Sequence, residues 1–135
     1  MKVKKVMDNL FWVVLVLLGI YVLYSKGVIM ANFESVSAKV AYEMIEKDDS
    51  NLTILDVRTP EEFKAEGRLV GAKLIPVDQL AKNLDMLDKS KKVLVYCRSG
   101  SRSVHASRIL ESNGFRALNM SGGINAWKSE KLPLK

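Results

Sequence analysis

The sequence predicts an α/β domain: a mostly parallel sheet with helices on both faces, preceded by one N-terminal transmembrane helix. Short apolar runs at residues 52–57, 93–96 and 115–120 alternate with segments whose apolar residues recur at helical spacing. That is the pattern of strands buried on both faces between crossover helices. The stretch from Leu10 to Tyr24 is apolar without a break, which no soluble surface would carry. A chain of 135 residues supplies one domain with a real core rather than two. The expected division is residues 1–31, comprising a basic segment, the membrane helix and a tether, followed by a folded domain over residues 32–135.

Lys2, Lys4 and Lys5 precede the apolar stretch and Lys26 follows it. At about 1.5 Å per residue the stretch spans roughly 22 Å, short of the roughly 30 Å hydrocarbon core. Asn9 and the segment out to Ala31 extend it while Lys26 snorkels. The lysine asymmetry places the N-terminus inside and the rest outside. For a bacterial chain this means a single-pass inner-membrane protein with its domain in the periplasm. A cleaved secretory signal, releasing the domain to the periplasm, is the competing reading; the lack of an A-x-A site after the stretch favours the anchor.

After a tether over Lys26 to Glu34, Ser37 caps a helix to about Lys47 that places Val40, Ala41, Met44 and Ile45 on one face. Asp48-Asp49-Ser50-Asn51 ends it, and Leu52 to Val57 reads as a buried strand. Thr59-Pro60-Glu61-Glu62 is a capping box with proline at the first helical position. Ala72 to Ile75 reads as a short strand stopped by Pro76, after which Asp78 caps a helix with Leu80, Leu84 and Leu87 on one face. Val93 to Tyr96 is the next strand. A helix burying Ala106, Ile109 and Leu110 follows and stops at Gly114. Phe115 to Met120 is the last strand, and Ile124 to Ser129 a short helix carrying Trp127.

Of the net charge of +6, residues from Asn32 onward carry 17 basic against 14 acidic side chains. Outside the loop described next, the basic residues cluster only at Lys89, Lys91 and Lys92, too few for a nucleic-acid face. One Cys and one His exclude an intramolecular disulfide and an ordinary zinc site. No metal and no other cofactor is called for.

That cysteine, Cys97, opens the loop Cys97-Arg98-Ser99-Gly100-Ser101-Arg102-Ser103 between a strand and a helix. Ligands of open α/β sheets bind outside the carboxyl ends of strands. A thiolate there gains from the helix N-terminus, from loop N–H groups and from Arg98 and Arg102. This favours a reactive cysteine over a merely buried one. Left exposed in an oxidising compartment, it would form mixed disulfides. His105 lies within the following helix, about two turns from the sulfur, and reads as a surface or capping residue, so a cysteine-protease mechanism lacks its base.

Four pieces, in order, carry a family resemblance: Asp56-Val57-Arg58-Thr59-Pro60-Glu61-Glu62-Phe63, GRLVGAKLIP over residues 67–76, VYCRSGSRS over 95–103, and Gly122-Gly123-Ile124-Asn125-Ala126-Trp127. Over about residues 35 to 131 the chain resembles a single rhodanese domain. The resemblance implies a rhodanese-like fold and a sulfurtransferase. Cys97 takes a sulfane sulfur from thiosulfate or polysulfide, becomes a persulfide, and passes the sulfur to cyanide, a small thiol or a protein thiol. Substrate contacts would come from Arg98, Ser99, Gly100, Ser101, Arg102 and Ser103. Asp56 and Arg58 match structural positions, an ion pair holding the loop at the strand end.

The chain departs from the family where Gly67-Arg68-Leu69 replaces the usual Gly-His-Ile and where Leu74 replaces Asn; Arg68 is expected to point to water. Two other functions stay open: a persulfide carrier or redox-sensing module that does not turn over alone, and, more remotely, a cysteine-dependent phosphatase or arsenate reductase. The latter use a C-x5-R loop, whereas here Arg102 is five residues after Cys97 and Ser103 is the sixth. With no second cysteine, the sulfur acceptor must be external.

Overall fold

A computed structural model describes residues 2–47 and 49–135. The chain divides into two compact units, residues 1–31 and 32–135. The first is built on α1 (Lys2–Ser25), a 24-residue helix with no buried side chain and a best 18-residue window of mean hydropathy 2.2. Because the residues before Leu10 continue the helix, it reaches about 36 Å, longer than the apolar run alone and than a hydrocarbon core. By length and composition it is able to cross a membrane. It closes with Val28 N–H donating to Leu23 C=O at 2.9 Å and Gly27 N–H to Tyr24 C=O at 3.1 Å, a Schellman ending.

The second unit is a sheet of five parallel strands in the order β1-β5-β4-β2-β3. The strands are β1 (Glu34–Val36), β2 (Leu52–Asp56), β3 (Lys73–Leu74), β4 (Lys92–Tyr96) and β5 (Ala117–Met120). The helices between them are α2 (Ala38–Lys47), α3 (Pro60–Ala65), α4 (Val77–Leu80) and α5 (Ser101–Ser112), and α6 (Gly123–Ser129) follows the last strand. Successive β4 residues feed opposite cores. Val93, Val95 and Cys97 join Leu80 of α4 and Ala106 and Leu110 of α5. Leu94 and Tyr96 join Ala41 of α2 and Ile124 and Trp127 of α6. Val93 through Tyr96 are fully buried, which is why this strand reads as a continuous apolar run.

The structure departs from expectation at three places. The tether is expected to run to Glu34, but β1 begins at that residue. Its three residues carry no local pattern and are defined by pairing with β5, Glu34 opposite Leu118 and Val36 opposite Met120. Asp78 does not cap a long helix: α4 begins after Pro76 with no side-chain cap and lasts one turn, and a separate 3-10 turn covers Leu84–Met86. The Asn83 side-chain amide donates to Gln79 C=O at 2.8 Å, occupying the acceptor that a continuing helix would use. Leu80 and Leu87 still reach the core, from two turns instead of one helix face. Finally, β2, β3 and β5 are shorter at their ends by one or two residues than expected, and β4 gains Lys92. Of the residues expected to end α2, Asp48 lies outside the described residues, and Asp49–Asn51 form a 3-10 turn.

Candidate active site at the end of the central strand

β4 delivers Cys97 to the carboxyl edge of the sheet, and four residues later α5 begins. The thiol is 1% exposed, at the floor of the loop rather than on its surface. The expectation of an exposed sulfur prone to mixed disulfides is thereby corrected. The alternation that places Val93 and Val95 in one core carries Cys97 into the same one.

Gly100 caps α5 with φ 112°, a left-handed conformation that costs other residues energy. This turns its N–H onto Cys97 Sγ at 3.1 Å. The Cys97 thiol is 3.5 Å from Ser103 Oγ, whose hydroxyl donates to Gly100 C=O at 3.1 Å. First-turn N–H groups of a helix have no acceptor within it, so the start of α5 favours an anion at this place.

The back of the loop is held by α6. Ile124 N–H donates to Cys97 C=O at 2.9 Å, and Asn125 N–H to Arg98 C=O at 3.1 Å. The peptides are planar and trans, so the N–H groups of Arg98 and Ser99 face away from α6. Only glycine fits at 123: a Cβ there would lie 2.5 Å from both carbonyl oxygens.

Asp56 and Arg58, at the end of the neighbouring strand β2, form a buried ion pair. Arg58 Nη2 is 2.7 Å from Asp56 Oδ2, Nε lies 3.0 and 3.1 Å from the two carboxylate oxygens, and the Arg58 N–H donates to Oδ1 at 2.9 Å. Nη2 also reaches Gly67 C=O at 2.7 Å. Burial works against the Arg58 charge, and the Asp56 carboxylate more than offsets it, so the net pKa shift is upward. Burial and the charge of Asp56 push the Tyr96 phenol up, and its oxygen accepts the Leu69 N–H at 3.2 Å.

Arg102 leaves the first turn of α5 and grips Glu62 of α3, Nη1 to Oε1 at 2.6 Å and Nη2 to Oε2 at 2.9 Å. The capping box forms as expected, with Thr59 Oγ1 accepting the Glu62 N–H and Glu62 Oε1 accepting the Thr59 N–H. One carboxylate therefore does both jobs. Hydrogen bonds from Arg102, with the Thr59 N–H assisting, hold its pKa down at about 2 against its burial. Arg102 is shifted upward by the same contact, and the nearby Cys97 adds to this.

The structure thus brings Cys97, Gly100 and Ser103 together, with Arg102 beside them in its pair with Glu62. Arg98, Ser99 and Ser101 are exposed on the rim. Arg68 does not simply point to water: its guanidinium lies 4.5 Å from the Phe63 ring centroid and donates to Phe63 C=O at 3.2 Å. The sequence pattern marks Glu62 only as a cap, and no local signal marks the hold of the α6 backbone on the loop. The one hint for Glu62 was its place just past β2, which later proves adjacent to β4.

A parallel α/β unit whose buried cysteine sits in a glycine-turned loop between its central strand and a helix N-terminus defines a cysteine-centred transfer domain. The Rhodanese-like domain profile matches residues 37–130. The chain is 35% identical over 102 residues to a sulfurtransferase of Allochromatium vinosum, covering 75% of this chain and 89% of that protein. It is also 35% identical over 114 residues to the chloroplastic thiosulfate sulfurtransferase 16 of Arabidopsis thaliana, covering 75% and 92%. The crystal structure of a rhodanese-like domain protein from Staphylococcus aureus superposes with a TM-score of 0.67 at 35% identity, covering 76% of this chain and 99% of that one. The chain belongs to the rhodanese-like family.

Proposed function

We propose that this chain is a membrane-anchored sulfurtransferase that carries sulfur on Cys97, with thiosulfate or a polysulfide as donor. The observation that carries the reading is the Gly100 N–H aimed at Cys97 Sγ at 3.1 Å beneath the start of α5. In the first half-reaction the Cys97 thiolate attacks the sulfane sulfur of thiosulfate. The S–S bond of the donor breaks, and sulfite leaves with its electron pair. The Cys97 persulfide then holds one extra sulfur as an anion, where the loop N–H groups stabilise it. In the second, cyanide or an external thiolate attacks the terminal sulfur and Cys97 departs as thiolate. Ping-pong kinetics follow.

With the full chain in detergent, thiosulfate is expected to add the mass of one sulfur atom, and cyanide to remove it as thiocyanate over many cycles. Mass gain without turnover would support a carrier instead, and no mass gain from thiosulfate or polysulfide would sink the proposal.

The same proposal places α1 across a bacterial inner membrane with the catalytic unit in the periplasm. Its support is the length of α1 and the three lysines before the apolar run against one after it. Protease added to intact spheroplasts should digest residues 32–135. Protection of that unit would refute the topology and leave the sulfur chemistry standing.

A further inference from the structure

We propose that Glu62 is a specificity-determining residue that biases the site against doubly charged sulfur donors and toward singly charged ones, such as organic thiosulfonates and persulfides. The inference rests on the sulfur-transfer reading above and concerns which donor that site takes.

Three observations converge on it. The Glu62–Arg102 pair lies on the rim: the side chains are 18% and 35% exposed, so both are within reach of an arriving donor. The contact is fork to fork, with two parallel N–H···O bonds, a geometry in which guanidinium and carboxylate match each other in charge and shape. Glu62 is also pinned by Thr59, whose N–H and hydroxyl both donate to Oε1, at 3.3 and 3.2 Å. The carboxylate therefore does not readily swing aside.

The consequence is electrostatic. Arg102 stands in the first turn of α5 next to Ser103, whose Oγ is 3.5 Å from Cys97 Sγ, so it is the cation a dianionic donor would meet beside the sulfur. Its charge is already answered by Glu62. Asp56 likewise answers Arg58, which leaves the exposed Arg98 and the loop N–H groups to attract an anion. A thiosulfate dianion must compete with Glu62 for Arg102 while being repelled by it. A singly charged organic thiosulfonate, whose outer sulfur the Cys97 thiolate takes as its S–S bond breaks and sulfinate leaves with the electron pair, meets about half that repulsion.

Glu62→Gln is the sharp test, because glutamine keeps the capping box and one oxygen acceptor for Arg102 while removing the charge. For the full chain in detergent, kcat/KM with thiosulfate is expected to rise about tenfold, chiefly through KM, the effect of removing one nearby like charge from a partly exposed site. With a singly charged organic thiosulfonate, whose interaction with the removed charge is half as large, the rise should be only about threefold. Equal changes for both donors, or a fall for thiosulfate alone, would overturn the assignment. A wild-type protein that accepts sulfur from neither donor would defeat the sulfur-transfer reading itself and this one with it. Normal wild-type transfer without the donor split would defeat this one only. A melting curve of the variant identifies a fall that comes from unfolding, and Glu62→Asp, which keeps the charge but shortens the reach, should not reproduce the gain for thiosulfate.

Discussion

Replacing Cys97 by serine is expected to reduce thiocyanate formation to the buffer rate, a loss of order 10⁴-fold or more, while the domain stays folded. The reaction needs an atom that attacks sulfur, bears the transferred sulfur as an anion and then leaves. A serine hydroxyl does none of these without a base. His105, the only histidine, is exposed and two residues beyond the buried Ser103, on the opposite side of α5. Stability should change little, within about 1–2 kcal/mol, since Gly100 N–H has an oxygen to donate to in place of sulfur. The measurements are steady-state thiocyanate release and a denaturant midpoint on the same preparation. Retained turnover would remove Cys97 from the chemistry; lost turnover with lost folding would make its role structural.

Arg58→Met should be the most damaging single change to stability, at about 3–5 kcal/mol, because it strands the Asp56 carboxylate where neither side chain is exposed. The guanidinium supplies three contacts to that carboxylate and one to Gly67 C=O, so its loss leaves a buried charge and an unanswered carbonyl. The pair itself need not be strongly stabilising. Taking two ions out of water costs nearly what their attraction returns, and Arg58 Nη1 is buried with no hydrogen-bond partner. Arg58→Met combined with Asp56→Leu should therefore recover most of the loss in a denaturant titration. A double variant as unstable as the single one would show that the pair contributes net stability. Glu62 and Arg102, at the same sheet edge, make the corresponding rim pair, where partial exposure reduces the effect on stability.

Much of this was legible from local pattern. The capping box at Thr59, the strand at 93–96, the helix ending before Gly114 and the apolar N-terminal helix each follow from residues within a few positions of one another. Such interactions are short-ranged, so the residues that decide them are adjacent in sequence. The candidate nucleophile was legible for a related reason: a lone cysteine between an apolar strand and a glycine-bearing loop has few structural roles.

What escaped was set at long range. β1 exists because β5 offers it a ladder, and nothing in Glu-Ser-Val announces a strand. α4 stops after one turn because the Asn83 amide takes a backbone acceptor. Arg68, expected in water, lies against Phe63.

By itself the sequence determined the α/β class, the parallel strands, the apolar helix and the cysteine loop, because hydrophobic period, caps and turn residues are properties of neighbours. Only the tertiary structure decided that Cys97 is buried rather than exposed. It also decided that α6, some 25 residues downstream, holds the loop carbonyls, and that Arg102 faces Glu62 across 40 positions of chain. The physical reason is the sheet order: β2 and β4 are neighbours although β3 lies between them in sequence. That pairing places α3 and the start of α5 at one edge, and with them the carboxylate that sets the charge at the site.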